Sequence, residues 1–404
     1  MSRRVAALPV LLTTLVVAAC TATSGRPGSG TTTTGGEIRH TSAGSEAASS
    51  TSTTPDLTAH LSIGGTGDLL THVAVRLSAE RYAGTAGSYD FSPMFSEVKP
   101  LIDAPDVSIC HMETPLTSTN TNLTRSGILV FNTPHQLADA VRETGWEGCD
   151  FASNHTWDQG LAGLRDTIGV FAKAKIGYAG AGPSAADPQR VRTYEANGLR
   201  VAHLAYAYTA YNDFGPNTTI PPEAPWLGKS MWPVVTAKGI IADAAKARDA
   251  GADVVVVSLH WGTQYVTEPT AEQKALAKAL LSAPEVDLIL GTHVHVVQPC
   301  ERINGKYVFY GLGNFLSNQS PQVDGTLRAE TQEGVVVRVD LARDASGAIT
   351  QTAAYRPTKV RLDGHVVEPA TPQSNPVTFD RVTRTLTSMG CPLTPLDADG
   401  APGR

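Results

Sequence analysis

Between about residues 58 and 365, apolar runs of strand length alternate with stretches whose apolar residues recur at helical spacing. The strand-like runs are residues 61–67, 199–206, 254–259, 286–290, 306–310, 334–341 and 349–362. The helix-like stretches are 93–102, 136–144, 160–175, 235–250 and 272–281. In 160–175, the three-to-four spacing of Leu161, Leu164, Ile168 and Phe171 puts them on one helical face. The 235–250 stretch is Ala-rich and is followed by Gly251, a C-cap residue. Residues 254–259 are apolar but for Ser258 and mostly β-branched, the mark of a strand covered on both faces. No internal repeat breaks the alternation, which predicts one large α/β domain.

Polar residues interrupt this pattern where strands are expected to end. Five apolar runs lead into metal-type residues: Asp68, Glu113, Asn154 with His155, His260, and the pair His293 and His295. A lone His of this kind is usually a hydrogen-bonded core residue, and a lone Asp after Gly is usually a turn. Recurrence at five strand ends is instead the sequence form of an α/β active site. Oxygen and imidazole donors without cysteine suit Zn, Mn or Fe, and a carboxylate can bridge two ions. Two ions roughly 3.5–4 Å apart can clamp a phosphoryl group. Asn154 offers a carbonyl ligand, and His155 can act as general acid toward a leaving oxygen. Asp158 either orients that imidazole or caps the helix expected near Gly160.

Two loops stand apart from the alternation. Residues 117–133 are polar and turn-rich. Residues 207–233 hold Tyr208, Tyr211, Phe214, Trp226 and Trp232, which either line a cleft or form a packed surface excursion. The segment 366–404 is rich in Pro and Thr and is expected to wrap the surface or stay partly disordered.

The N-terminal residues 1–19 read as a signal peptide: Arg3 and Arg4 precede an apolar run too short to span a bilayer comfortably. The run ends Val17-Ala18-Ala19-Cys20, which resembles the bacterial lipobox and implies lipidation of Cys20. Residues 20–57, dominated by Thr, Ser, Gly and Ala, read as a flexible tether. The expected location is the outer face of the cytoplasmic membrane, held by the lipid. Loss of Arg3 and Arg4 makes the formal net charge of −6 two units more negative, which argues against nucleic acid as a partner. Beyond Cys20, four cysteines remain. Cys300 and Cys391 are candidates for a bridge from the C-terminal tail to the core, whereas Cys110 and Cys149 read as buried thiols in apolar runs.

Asn154-His155 together with Gly291-Thr292-His293-Val294-His295 resembles the calcineurin-like metallophosphoesterases. A closer resemblance is to the CapA family of poly-γ-glutamate capsule-biosynthesis proteins. It rests on six ordered motifs: 66–68, 112–116, 153–160, 258–262, 293–299 and 310–315. The resemblance implies an α/β/β/α sandwich of two mixed sheets flanked by helices. It implies one or two divalent ions (Mn, Zn or Fe) held by Asp68, Glu113, Asn154, His260, His293 and His295, with His155 as the acid. His111, Trp261 and Asn314 would support the ligands or line the substrate cleft. The implied function is a metal-dependent hydrolase, or an assembly, export or anchoring factor, acting on an anionic envelope polymer or a phosphoester. Leu70 stands where the phosphoesterase pattern has a His, His111 where the CapA family usually has Asn, and Thr263 where it often has Glu. Thr292 and Val294 also depart from the usual Gly-His-His-Pro-His. These changes bear on catalytic competence and metal identity, not on the fold.

Overall fold

The computed structural model describes residues 57–212 and 218–403. The expected signal peptide, Cys20, the tether up to residue 56 and Phe214 lie outside them. Two mixed sheets carry the fold. The first runs Val366–Pro369, Ile349–Arg361, Glu333–Asp344, Leu57–Leu69, Val107–Met112, Gly148–Phe151, Gly177–Ser184, Asp187–Arg190. Its strands from Leu57–Leu69 to Gly177–Ser184 are parallel, and its flanks are antiparallel. The second runs Cys300–Ile303, Lys306–Phe309, Leu288–Thr292, Val254–His260, Leu199–Ala207, Arg192–Ala196, with its four inner strands parallel.

Strand alternation sorts the side chains into layers. Leu61, Ile63, Val107 and Ile109 of the first sheet meet Val201, Val254, Val256, Leu288 and Leu290 of the second in one buried cluster. The opposite face of the first sheet, with Cys110, Met112, Cys149 and Phe151, packs on helices Gln136–Thr144 and Gly160–Ala174 through Leu137, Val141, Leu164 and Phe171. Val255, Val257, Leu259 and Ile289 of the second sheet pack on helices Trp232–Asp249 and Ala271–Ser282 through Ile240, Ala244, Leu276 and Leu280. The result is the α/β/β/α sandwich. The 254–257 run is continuously apolar because Val254 and Val256 face the other sheet and Val255 and Val257 face helices.

Several local expectations change. The 93–102 stretch forms two short helices, Ser92–Phe95 and Lys99–Asp103, each started by a proline that fits a first helical turn. Helix Trp232–Asp249 is kinked at Thr236, whose φ is +61°. Residues 366–403 are built into the fold. Val366–Pro369 joins the first sheet, so a boundary at residue 365 cuts a hairpin. Helix Pro376–Leu386, capped by Asn375, buries Val382 and Leu386 in the inter-sheet cluster. Its Arg381 and Thr378 bind the buried Glu333. Cys300 and Cys391 are bonded, as expected. Cys110 and Cys149 are not buried thiols: they are cross-strand register partners and form a second disulfide.

Candidate metal centre

The parallel strands of both sheets bring their carboxyl ends to one place, where open α/β sheets bind ligands. Asp68 lies at the end of Leu57–Leu69, after a register shift that follows Gly65. Its N–H donates to Gly313 O at 2.9 Å. Gly67 permits this approach, since a Cβ there would stand 1.9 Å from that carbonyl oxygen. Glu113 follows Val107–Met112, and its main-chain carbonyl accepts from Ser153 Oγ at 2.7 Å, tying the 153–156 turn beneath it. His260 ends Val254–His260, and His293 and His295 follow Leu288–Thr292. His293 and His295 have φ of +89° and +56°. Left-handed backbone is costly for a side-chain-bearing residue and clusters at functional sites.

The side chains of Asp68, Glu113, Asn154, His260, His293 and His295 are all buried and converge between the sheets. His295 Nδ1 lies 2.9 Å from Asp68 Oδ2 and 3.1 Å from Asn314 Oδ1, and its Nε2 lies 3.6 Å from Glu113 Oε1. His260 Nε2 lies 2.9 Å from Asn154 Oδ1. Two donors on one ion at about 2.1 Å and right angles stand about 3 Å apart, so this is also a ligand spacing. Asn154 Nδ2 donates to Asn212 Oδ1 at 3.1 Å, which turns the Asn154 carbonyl oxygen toward His260. The His260 and His293 rings lie 4.5 Å apart, and Tyr208 covers His293 at 4.6 Å.

Both carboxylate oxygens of Glu113, His293 Nδ1 and His111 Nε2 are buried without a hydrogen-bond partner. Buried polar atoms are nearly always paired. Four orphaned donor and acceptor atoms at one strand-end site therefore fit divalent cation binding. The donor atoms of Asp68, His111 and Glu113 lie within 4.8 Å of one another. Mixed carboxylate, imidazole and amide donors suit Mn, Fe or Zn.

Burial and neighbouring charges set the protonation of the site. Burial raises the Glu113 carboxyl above its usual range. Burial, aided by neighbouring imidazoles, pushes His260 and His293 well below the usual histidine range, so both are neutral. Burial also works against the charge on His111 and His295, but adjacent carboxylates outweigh it. Asp150 chiefly lifts His111 to about 9, and Glu113 and Asp68 lift His295 to about 9.

His155 stands beside this cluster on the 153–156 turn. Its Nδ1 lies 2.8 Å from Asp158 Oδ2, and the same oxygen accepts the Phe131 N–H at 2.6 Å. Phe131 returns edge-on to the His155 ring at 4.6 Å. Asp158 therefore orients the imidazole. It does not cap helix Gly160–Ala174, whose start has no side-chain cap.

The expected residues divide as follows. The six ligand candidates and His155 with Asp158 share one site. Asn314 supports it, bonding His295 and donating to Thr331 O at 2.8 Å. Trp261 does not line the cleft. It is buried on the helix side of the second sheet, stacked on Tyr310, and packs beneath Gly291. Of the aromatic loop, Tyr208 reaches the site, while Trp226 and Trp232 are spent on main-chain hydrogen bonds to Gly182 and His260. Asp150, Phe131 and Asn212 were not anticipated. An acid inside the apolar strand Gly148–Phe151 was the available signal for Asp150.

The chain is thus a four-layer α/β/β/α sandwich with buried carboxylate, imidazole and amide donors gathered at its strand ends. Residues 62–319 match the family model described as bacterial capsule synthesis protein PGA_cap, and the chain belongs to that family. It is 28% identical over 295 residues to the PGA biosynthesis protein CapA of Bacillus subtilis (strain 168), covering 73% of this chain and 71% of that protein. It is 37% identical over 187 residues to the capsule biosynthesis protein CapA of Bacillus anthracis, covering 46% of this chain and 43% of that one. Among solved structures it is similar to the calcineurin-like phosphoesterase YfkN from Bacillus subtilis, with 14% identity and a TM-score of 0.40, covering 81% of this chain and 96% of that chain.

Proposed function

We propose that this chain is a metal-dependent hydrolase of phosphoester type, held by lipid on Cys20 at the outer face of the cytoplasmic membrane and serving capsule or envelope-polymer metabolism. The orphaned set of Glu113, His293 and His111 beside the His155–Asp158 pair carries the reading. Asp68, Glu113, Asn154, His260, His293 and His295 would hold the ions, which supply Lewis acidity and lower the pKa of bound water. His155 would donate its proton to the leaving oxygen, with Asp158 fixing the ring for that transfer. Tyr208 and Phe131 shield the imidazoles from bulk water.

The test is metal content of the purified chain beside His293→Ala, followed by hydrolysis of bis(p-nitrophenyl) phosphate and p-nitrophenyl phosphate. The reading expects bound Mn, Fe or Zn that the variant loses, and turnover of at least one ester. Equal metal in both proteins, or an inert metal-loaded chain, overturns it. The family description and the relatives' names, which concern capsule and PGA biosynthesis, favour a second reading. In it the chain binds an anionic envelope polymer such as poly-γ-glutamate without cleaving it. Calorimetric titration with poly-γ-glutamate, with and without metal, decides this, and absence of affinity in both conditions removes it.

A further inference from the structure

We propose that His111 is itself a metal ligand, supplied sideways from the strand next to Asp68, and that Asp150 is the carboxylate that fixes it for that task. The proposal rests on the metal-dependent reading above and adds a donor to it.

His111 pairs in register with Asp68 on one side and with Asp150 on the other. Three polar residues thus lie abreast across three parallel strands. The residues just before His111 and Asp150, Cys110 and Cys149, belong to the helix-side cluster, so strand alternation turns His111 and Asp150 toward the second sheet. There the His111 ring stacks on His260 at 4.8 Å. Asp150 binds His111 Nδ1. That leaves Nε2, fully buried and without a hydrogen bond, 4.0 Å from Asp68 Oδ1.

A carboxylate on one ring nitrogen with the other nitrogen unpartnered is how metal-binding histidines are held. A purely structural His111–Asp150 pair would leave Nε2 buried and unsatisfied, which is unfavourable. Asp68 gains no imidazole from residues 69–72, which directly follow it. Leu70 is apolar and buried, and His72 accepts the Asn318 N–H and packs edge-on against Phe131. The neighbouring strand therefore supplies a second imidazole near Asp68, beside that of His295. With Asp68 and Glu113 it forms a mixed oxygen–nitrogen donor set suited to Mn(II), Fe(II) or Zn(II).

The test measures metal content and affinity, with Mn2+ and Zn2+ titrated into wild type, His111→Asn, Asp150→Asn and His293→Ala. His111→Asn is expected to lose one equivalent of metal, or to bind at least 10-fold more weakly. Asp150→Asn is expected to keep the wild-type stoichiometry with affinity lowered roughly 10–100-fold. In wild type carrying nitrogen-labelled histidine, the His111 Nε2 resonance should move on Zn2+ addition while its Nδ1–H signal persists. This last readout needs no variant to fold. An unmoved Nε2, or a His111→Asn variant with wild-type metal number and affinity, overturns the assignment while leaving the metal-dependent reading intact. A wild type that binds no metal removes both.

Discussion

Replacing Asp158 by Asn probes the division of labour in the site. Asp158 Oδ2 receives two short hydrogen bonds, from His155 Nδ1 at 2.8 Å and from the Phe131 N–H at 2.6 Å. Both side chains of the His–Asp pair are about 95% buried, so solvent screens the contact little. Asn keeps the shape and one acceptor but removes the carboxylate from the His155 ring. Charge-assisted bonds of this kind are worth about 1.5–3 kcal/mol each. If His155 is the proton donor, its loss of orientation and charge should cost about 10²–10⁴ in kcat, equivalent to about 2.7–5.5 kcal/mol of barrier. The assay compares two esters on the metal-loaded variant. A p-nitrophenyl ester leaves as a stable anion and needs little protonation, whereas an alkyl ester of the same acid needs a full proton. Asp158→Asn should therefore lose far more on the alkyl ester than on the nitrophenyl ester, at unchanged metal content. Equal losses on both, or a loss explained by missing metal, would refute the acid role of His155.

Metal affinity should rise with pH from 6 toward 9, because protons held on His111 and His295 up to about 9 must leave when the ion binds; calorimetry in buffers of different ionisation enthalpy should show proton release, and a pH-independent affinity would contradict it. Cys110→Ser with Cys149→Ser opens a bridge between residues 39 apart, a loop-closure effect of about 4 kcal/mol, read as a lower urea midpoint under non-reducing conditions. The metal-free chain should lose stability on acidification. Burial lowers His203 from 6.5 to about 4, so its contribution is complete above pH 6.5 and is lost as pH falls through 4. That amounts to about 3 kcal/mol, and His203→Gln should flatten the difference between urea melts at pH 7 and pH 4.5.

Much of this molecule is legible in its sequence, for identifiable reasons. Helix Gln136–Thr144 and the central strands are carried by strong local periodicity, and the strand-end residues Asp68, Glu113, His260 and His293 interrupt apolar runs where sheets end. What sequence reading missed depends on registry. Whether Cys110 faces Cys149, or His111 faces Asp150, is decided by how two strands 39 residues apart align, which no local pattern encodes. Trp261 follows His260 directly, yet alternation turns it to the opposite side of the sheet. The 366–403 segment hid its helix because Pro376 sits at the helix start and looks like a breaker.

The Cys110–Cys149 bond lies one residue before the His111–Asp150 pair on both strands. The cross-link and the donor pair are thus assembled by the same strand alignment. Disulfides persist in oxidising compartments and are kept open in reducing ones. A copy folded in a reducing compartment would have free thiols where the oxidised protein has a cross-link. The oxidation state of that one cystine therefore makes maturation of the site sensitive to where the chain is folded.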